Sequence, residues 1–127
     1  MLINQGVAVK GARVGVLGLT FKEDCNDLRN SRVPDVIAEL RTFGIEPLVH
    51  DSRGNPDEAK REYGLTLAPL EAYADLDALV IAVSHKEYIQ LGLTKLLGMV
   101  RDNGCFIDVK SVFLPTKMER GIQYWSL

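Results

Sequence analysis

Residues 13–44 read Arg13-Val14-Gly15-Val16-Leu17-Gly18, then Leu19-Thr20-Phe21-Lys22-Glu23-Asp24-Cys25-Asn26-Asp27-Leu28-Arg29-Asn30-Ser31, then an amphipathic stretch that closes at Phe43-Gly44. The first part is apolar and bounded by glycine, which reads as a strand. The last part places Val33, Val36, Ile37, Leu40 and Phe43 at i, i+3, i+4, i+7 and i+10. That spacing is one face of a 3.6-residue period and predicts a helix over 31–43. Ser31 is positioned to cap its start and Gly44 to end it in the left-handed conformation. Gly15 and Gly18 are expected to ease strand–helix packing.

The same alternation continues outward. Glu46-Pro47-Leu48-Val49-His50 is a short second strand, its proline near the start where a missing N–H is tolerated. Asn55-Pro56-Asp57-Glu58 combines an N-cap, a proline at the first helical position and acids in the first turn, and Gly64 closes that helix. Ala78-Leu79-Val80-Ile81-Ala82-Val83 has no polar alternation, as a strand covered on both faces requires. Ser84-His85-Lys86-Glu87 has capping-box spacing and opens another helix. A weaker helix runs from Thr94 to Val100, followed by a strand over Gly104–Val109 and a short one over Gly121–Tyr124. Strands alternating with helices imply βαβ units and right-handed crossovers. The expected fold is therefore α/β: three layers, α/β/α, around an open, doubly wound, mostly parallel sheet of Rossmann-like type. Residues 1–10 fit no element and read as a connector, with one domain over 11–127.

Composition narrows the function classes. The chain has 127 residues, 46% of them hydrophobic and 25% charged, with a net charge of −2. One compact domain fits this length, and a self-contained two-domain enzyme does not. The charge balance argues against a sequence-independent nucleic-acid binder, so no nucleic-acid partner is expected. The longest apolar run, Ala78 to Val83, is far short of the roughly 20 residues of a membrane span, and no membrane association is expected. Met1-Leu2-Ile3-Asn4-Gln5-Gly6 lacks the features of a signal peptide. Two cysteines make no disulfide framework, which points to the cytoplasm.

Ligands of open parallel sheets bind beyond the carboxyl ends of the strands, near the reversal of strand order. The candidate site therefore comprises Leu19–Ser31, Asp51-Ser52-Arg53, Ser84-His85 and Asp108-Val109-Lys110-Ser111. The first of these connections is far longer than the usual 2–6 residues, and long loops are disproportionately functional. Gly15 and Gly18, with Asp51 after the second strand, suggest a dinucleotide fingerprint, but the G-x-G-x-x-G spacing is missing. Leu19, Thr20 and Phe21 fill the turn where backbone would have to approach a pyrophosphate. Cys25 has no evident partner base, and two cysteines and two histidines at scattered positions form no metal motif. No catalytic constellation and no metal site is expected.

The stretch from Val14 to Ser31 closely resembles the opening of the C-terminal, UDP-binding domain of the UDP-glucose/GDP-mannose dehydrogenase family. The family pattern G-L-x-F-K-x-(D/N)-x-x-D-x-R-x-(S/T) is met by Gly18, Leu19, Phe21, Lys22, Asp24, Asp27, Arg29 and Ser31. The likeness returns at Phe106-Ile107-Asp108-Val109-Lys110, and Gly121–Leu127 looks like a native C-terminus. The resemblance implies a parent enzyme with an N-terminal NAD-binding domain, a central helical dimerisation region and this domain. Such an enzyme oxidises the C6 hydroxymethyl group of a UDP-sugar to a carboxylate in two NAD-dependent steps. It works through a cysteine thioester on the central part.

On the same ground Phe21 and Lys22 correspond to substrate contacts, and Arg29 to an arginine that reaches the cofactor across the interdomain cleft. Lys110 stands where many members carry a nucleotide-contacting arginine; lysine keeps the charge and loses the bidentate fork. Cys25 occupies a variable position and inherits no catalytic role. Thr20, Asn26 and Arg32-Val33-Pro34-Asp35, with the Val109-Lys110-Ser111 ending, look closest to members acting on UDP-N-acetylhexosamines for capsule and related polysaccharides. The chain alone is then expected to be inactive, and the parent to be a homodimer or larger. Two other readings stay open: a stand-alone degenerate dinucleotide-binding or flavodoxin-like regulatory module, and an interaction domain whose loop charges are merely solvated.

Overall fold

The structure, a computed structural model, describes residues 11–115 and 118–126. The expected connector over 1–10 lies outside the described residues. In chain order the elements are β1 (Val14–Leu17), α1 (Val33–Thr42), β2 (Leu48–His50), α2 (Pro56–Tyr63), β3 (Leu76–Ile81), α3 (Lys86–Leu91), α4 (Leu93–Leu97), β4 (Val100–Asp108) and β5 (Gln123–Ser126). A 3-10 turn at Leu70–Ala72 precedes β3. The strands form one sheet in the order β2-β1-β3-β4-β5, and every pairing is parallel. The chain steps outward from β1 to β2, then back across β1 to β3. The switch point is thus the gap between β1 and β3.

Helices cover both faces, giving the expected three layers. On one face Val14, Val16, Ala78, Val80 and Cys105 pack with Val33 and Ile37 of α1 and Ala59 of α2. On the other Leu17, Leu79, Ile81 and Phe106 pack with Tyr88 of α3 and Leu96 and Leu97 of α4. The chain changes face between α2 and β3: Leu65 belongs to the first cluster, Tyr73 to the second. β1 and most of β3 are buried throughout, which is why their sequences lack polar alternation.

The local signals have mixed outcomes. Asn55 caps α2 as read, accepting from the N–H groups of Asp57 (2.8 Å) and Glu58 (3.0 Å), and Gly64 ends it at φ 66°. Ser31 accepts the Val33 N–H at 3.1 Å, although Arg32 holds the cap position. Three expectations are corrected. The face predicted for α1 is buried only at Val33 and Ile37; Val36 and Phe43 are 45% and 56% exposed, because the helix meets the sheet along a narrow stripe. Ser84 and Glu87 form no capping box: His85 holds the cap position without a side-chain bond, and Glu87 turns to Ser52 and Arg53. Gly15 makes room for a tyrosine rather than a helix. A Cβ there would stand 2.6 Å from the Tyr73 ring, whose hydroxyl donates to the Val16 carbonyl.

Candidate functional site

The loop from Gly18 to Arg32 is built on one carboxylate. Asp51, directly after β2, accepts the N–H groups of Leu19 (2.5 Å) and Thr20 (2.9 Å) on one oxygen and those of Arg53 and Gly54 (both 2.7 Å) on the other. His85, four residues beyond the end of β3, adds its Nε2 at 3.1 Å. Burial pushes the Asp51 carboxyl up. The bonds from His85 and from the backbone of Leu19, Arg53 and Thr20 outweigh it and hold the group well below its ordinary range.

Asp51 is therefore a structural pin. The Leu19 and Thr20 N–H groups, which a dinucleotide phosphate at this turn would need, are already occupied. Together with the missing glycines, this means that the first βα turn does not fit NAD.

Further along, the Phe21 N–H donates to the Asp27 carbonyl (2.7 Å), and Leu28 is buried in the core beneath the loop. Asp24 and Asn30 adopt φ 57° and 61°, left-handed geometry that these two residue types tolerate best. Tyr63 of α2 donates its hydroxyl to the Leu28 carbonyl. The Cys25 sulfur accepts the Asp27 N–H at 3.3 Å and meets no base among the described residues.

A second carboxylate holds the loop after β4. Asp108 is fully buried and accepts the N–H groups of Val112 (3.1 Å) and Phe113 (2.8 Å) and the Tyr124 hydroxyl (2.7 Å). Lys110 lies inside the segment so fixed, and Ser111 follows at φ 56°.

The two loops face each other across a cleft of about 660 Å³ at the carboxyl ends of β1, β3 and β4. Thr20, Phe21 and Lys22 form one wall, Val109 and Lys110 another, and Val80, Ala82 and Val83 the floor. Three of the four residues singled out from sequence, Phe21, Lys22 and Lys110, thus line one cavity. Phe21 is 54% exposed at its mouth. Neither lysine ammonium has a partner among the described residues. Asn30, Arg32, Val33 and Val36 complete the cleft from the start of α1. Arg32 was not anticipated, although its place at the head of the helix beside the long loop was a usable signal. Its ion pair with Asp35 is long, at 3.9 Å, and largely open to solvent.

Arg29 lies elsewhere. It pairs with Asp27 at 3.1 Å and shares a separate polar cleft of about 730 Å³ with Arg53, Arg61, Asn55 and Glu58. The Arg29 hydrogen bonds hold the Asp27 carboxyl low, and Asp27 holds the guanidinium high. Arg53 is clamped by Glu87, whose carboxyl is lowered to about 2 by that guanidinium and by the Ser52 hydroxyl. Among the described residues no cluster of His, Cys, Asp and Glu has the arrangement to hold a metal ion. No helix among them is long and apolar enough to cross a membrane.

An open parallel sheet with a cleft at its switch point, lined by an aromatic and by two ammonium groups that have no partner among the described residues, defines a doubly wound α/β domain. Comparison with known proteins makes the assignment specific. Residues 15–115 match the model of the UDP-binding domain of the UDP-glucose/GDP-mannose dehydrogenase family, and the chain belongs to that family. It is 36% identical over 126 residues to the protein CapL of Staphylococcus aureus, covering 99% of this chain and 30% of CapL. It is 34% identical over 116 residues to a UDP-N-acetyl-D-glucosamine 6-dehydrogenase of Salmonella typhi, covering 91% and 27%. The chain thus spans less than a third of the curated relatives it matches. Among solved structures, a UDP-D-ManNAc dehydrogenase of Pyrococcus horikoshii superposes with a TM-score of 0.75 at 22% identity, covering 98% of this chain and 27% of that one. This likeness supports the fold. The stand-alone regulatory module is not favoured by these matches.

Proposed function

We propose that this chain is the UDP-gripping part of an NAD-dependent UDP-sugar 6-dehydrogenase that oxidises the C6 hydroxymethyl group to a carboxylate for polysaccharide synthesis. The observation that carries the reading is the convergence of Phe21, Lys22 and Lys110 on one cleft at the switch point. Lys22 and Lys110 supply positive charge from opposite walls, which suits a diphosphate. Phe21 offers a ring face at the rim for a base or sugar. The apolar floor of Val80, Ala82 and Val83 excludes water beneath the ligand and strengthens both charge contacts.

The domain is taken to span 11–127, with 1–10 the end of a connector from the rest of the parent. NAD and the thioester cysteine belong to that remainder, which agrees with the occupied N–H groups of the first βα turn. Arg29, in its own exposed cleft, is assigned to the side that meets the cofactor. The names of the relatives at 36% and 34% identity favour an N-acetylhexosamine substrate in a capsule-type pathway. The parent is read as a cytoplasmic homodimer or larger assembly.

Titration calorimetry with UDP tests the reading. Weak binding is expected from this chain, weakened further, by about five- to tenfold, in Lys22→Ala or Lys110→Ala, the scale of one charge-assisted contact near a surface. Lys95→Ala, on α4 at the opposite face, serves as the control and leaves the affinity unaltered. No turnover of UDP-sugar with NAD is expected from the chain alone. Tight NAD binding with indifference to UDP overturns the proposal.

A further inference from the structure

Behind the Phe21–Lys22 turn sits a histidine with no exposed surface, and its two ring nitrogens hold the two ends of that turn. We propose that His85 is a positioning residue of the cleft, fixing the backbone of residues 20–24 so that Phe21 and Lys22 face the ligand. The inference rests on reading that cleft as the UDP site.

The hydrogen bonds dictate the tautomer. The Asp24 N–H donates to Nδ1 at 2.9 Å, so Nδ1 carries no proton. Nε2 is therefore the protonated nitrogen, shared between an Asp51 oxygen (3.1 Å) and the Thr20 hydroxyl (3.0 Å). The Thr20 hydroxyl in turn donates to the Lys22 carbonyl at 3.1 Å. A continuous path thus runs from Asp51 through the ring to the backbone on both sides of Lys22. Asp24 completes it, its carboxylate accepting the Lys86 N–H at 2.7 Å at the head of α3.

The two nitrogens are not equally replaceable. Asp51 has four backbone donors besides His85, and Thr20 is also held through its own N–H. The Asp24 N–H has only Nδ1 among the described residues, and Asp24 sits at φ 57°, a conformation that needs outside support. The Phe21 and Lys22 side chains are exposed and anchor nothing themselves, so their direction is set by the backbone. A turn freed at Asp24 must be ordered again at each binding event, and that entropy subtracts from affinity.

Two substitutions separate the bonds. In His85→Asn the amide oxygen takes the place of Nδ1 and accepts the Asp24 N–H. In His85→Gln the amide nitrogen takes the place of Nε2 and donates to Asp51, leaving Asp24 without an acceptor. Calorimetry with UDP on the full chain is expected to show His85→Gln roughly tenfold weaker than wild type and His85→Asn within about threefold of it, the difference made by one half-buried hydrogen bond. Amide hydrogen exchange gives a readout independent of ligand: the Asp24 amide is slow in wild type and in His85→Asn, and fast in His85→Gln. Binding by His85→Gln as tight as wild type, or equal losses in both variants, overturns the inference. So does a freely exchanging Asp24 amide in the wild-type protein, which decides the matter even if a variant fails to fold. If wild type binds no UDP, the cleft assignment falls, and the exchange measurement still decides whether His85 holds the turn.

Discussion

Replacing Asp51 by asparagine removes one acceptor oxygen and the charge while keeping the shape. The variant must turn its NH2 group either towards Leu19, Thr20 and His85 or towards Arg53 and Gly54. The second orientation is less damaging, because water reaches the half-buried Arg53–Gly54 turn more easily than the buried Leu19–Thr20 turn. Two charge-assisted bonds are lost even so. Each is worth about 1.5–3 kcal/mol net, offset by partial hydration and by relief from burying a charge. The expected loss is about 2–4 kcal/mol, a large share of the roughly 5–15 kcal/mol that holds a domain together. Urea unfolding followed by far-ultraviolet circular dichroism would read this as a midpoint shift of about 1–2 M with an unchanged slope.

Acidity supplies an internal control. The Asp51 carboxyl is depressed in the fold below its ordinary 3.8, so as the pH falls the unfolded chain takes up the proton first. Its contribution is complete above that value and is lost as the pH falls through the folded value. The gap between wild type and Asp51→Asn should therefore be full at pH 7 and narrow below pH 4. A shift under about 0.3 M at pH 7, on the same urea scale, or a gap that widens in acid, refutes the assignment of Asp51 as the pin of the site.

Two local substitutions probe the scaffold around that pin. Asn55→Ala removes the acceptor for the Asp57 and Glu58 N–H groups and should cost about 1 kcal/mol in urea unfolding. Gly18→Ala meets a backbone at φ 99° and places its Cβ 2.5 Å from that of Val83; a loss of at least about 1–3 kcal/mol is expected, measured as a lower thermal midpoint.

What the sequence made legible was whatever a few neighbouring residues decide. Asn55-Pro56 with Gly64 delimits α2, the unbroken apolar run around Leu79 marks an interior strand, and the glycine-bounded Val14–Leu17 starts the sheet. Boundaries moved by a few residues where pairing, which no local pattern reports, extends or trims a strand. β4 begins at Val100, before the expected Gly104, because Leu76 pairs with Val100 ahead of a register shift. The burial of α1 was overestimated for a related reason. Periodicity gives the direction of a helix face, whereas its buried width depends on how the sheet curves beneath it, and Val36 falls on the cleft side of that line.

The site was legible as positions and illegible as bonds. Phe21, Lys22 and Lys110 could be placed at strand ends because the ligand rule for open sheets needs only element order. Asp51 and His85 were both placed among the strand-end residues, yet one suggested part of a dinucleotide fingerprint and the other no role of its own. Their partnership spans 34 residues and the His85–Asp24 bond 61, separations at which no motif is written. Strand order brings them together: with β2 and β3 flanking β1, the residues following β2 and β3 must meet beneath the loop that follows β1. A carboxylate after one neighbour and a histidine after the other are then placed to bind that loop's backbone from both sides. On this geometry the long loop is a mount whose inner backbone is already satisfied, which leaves the Phe21 and Lys22 side chains facing the cleft.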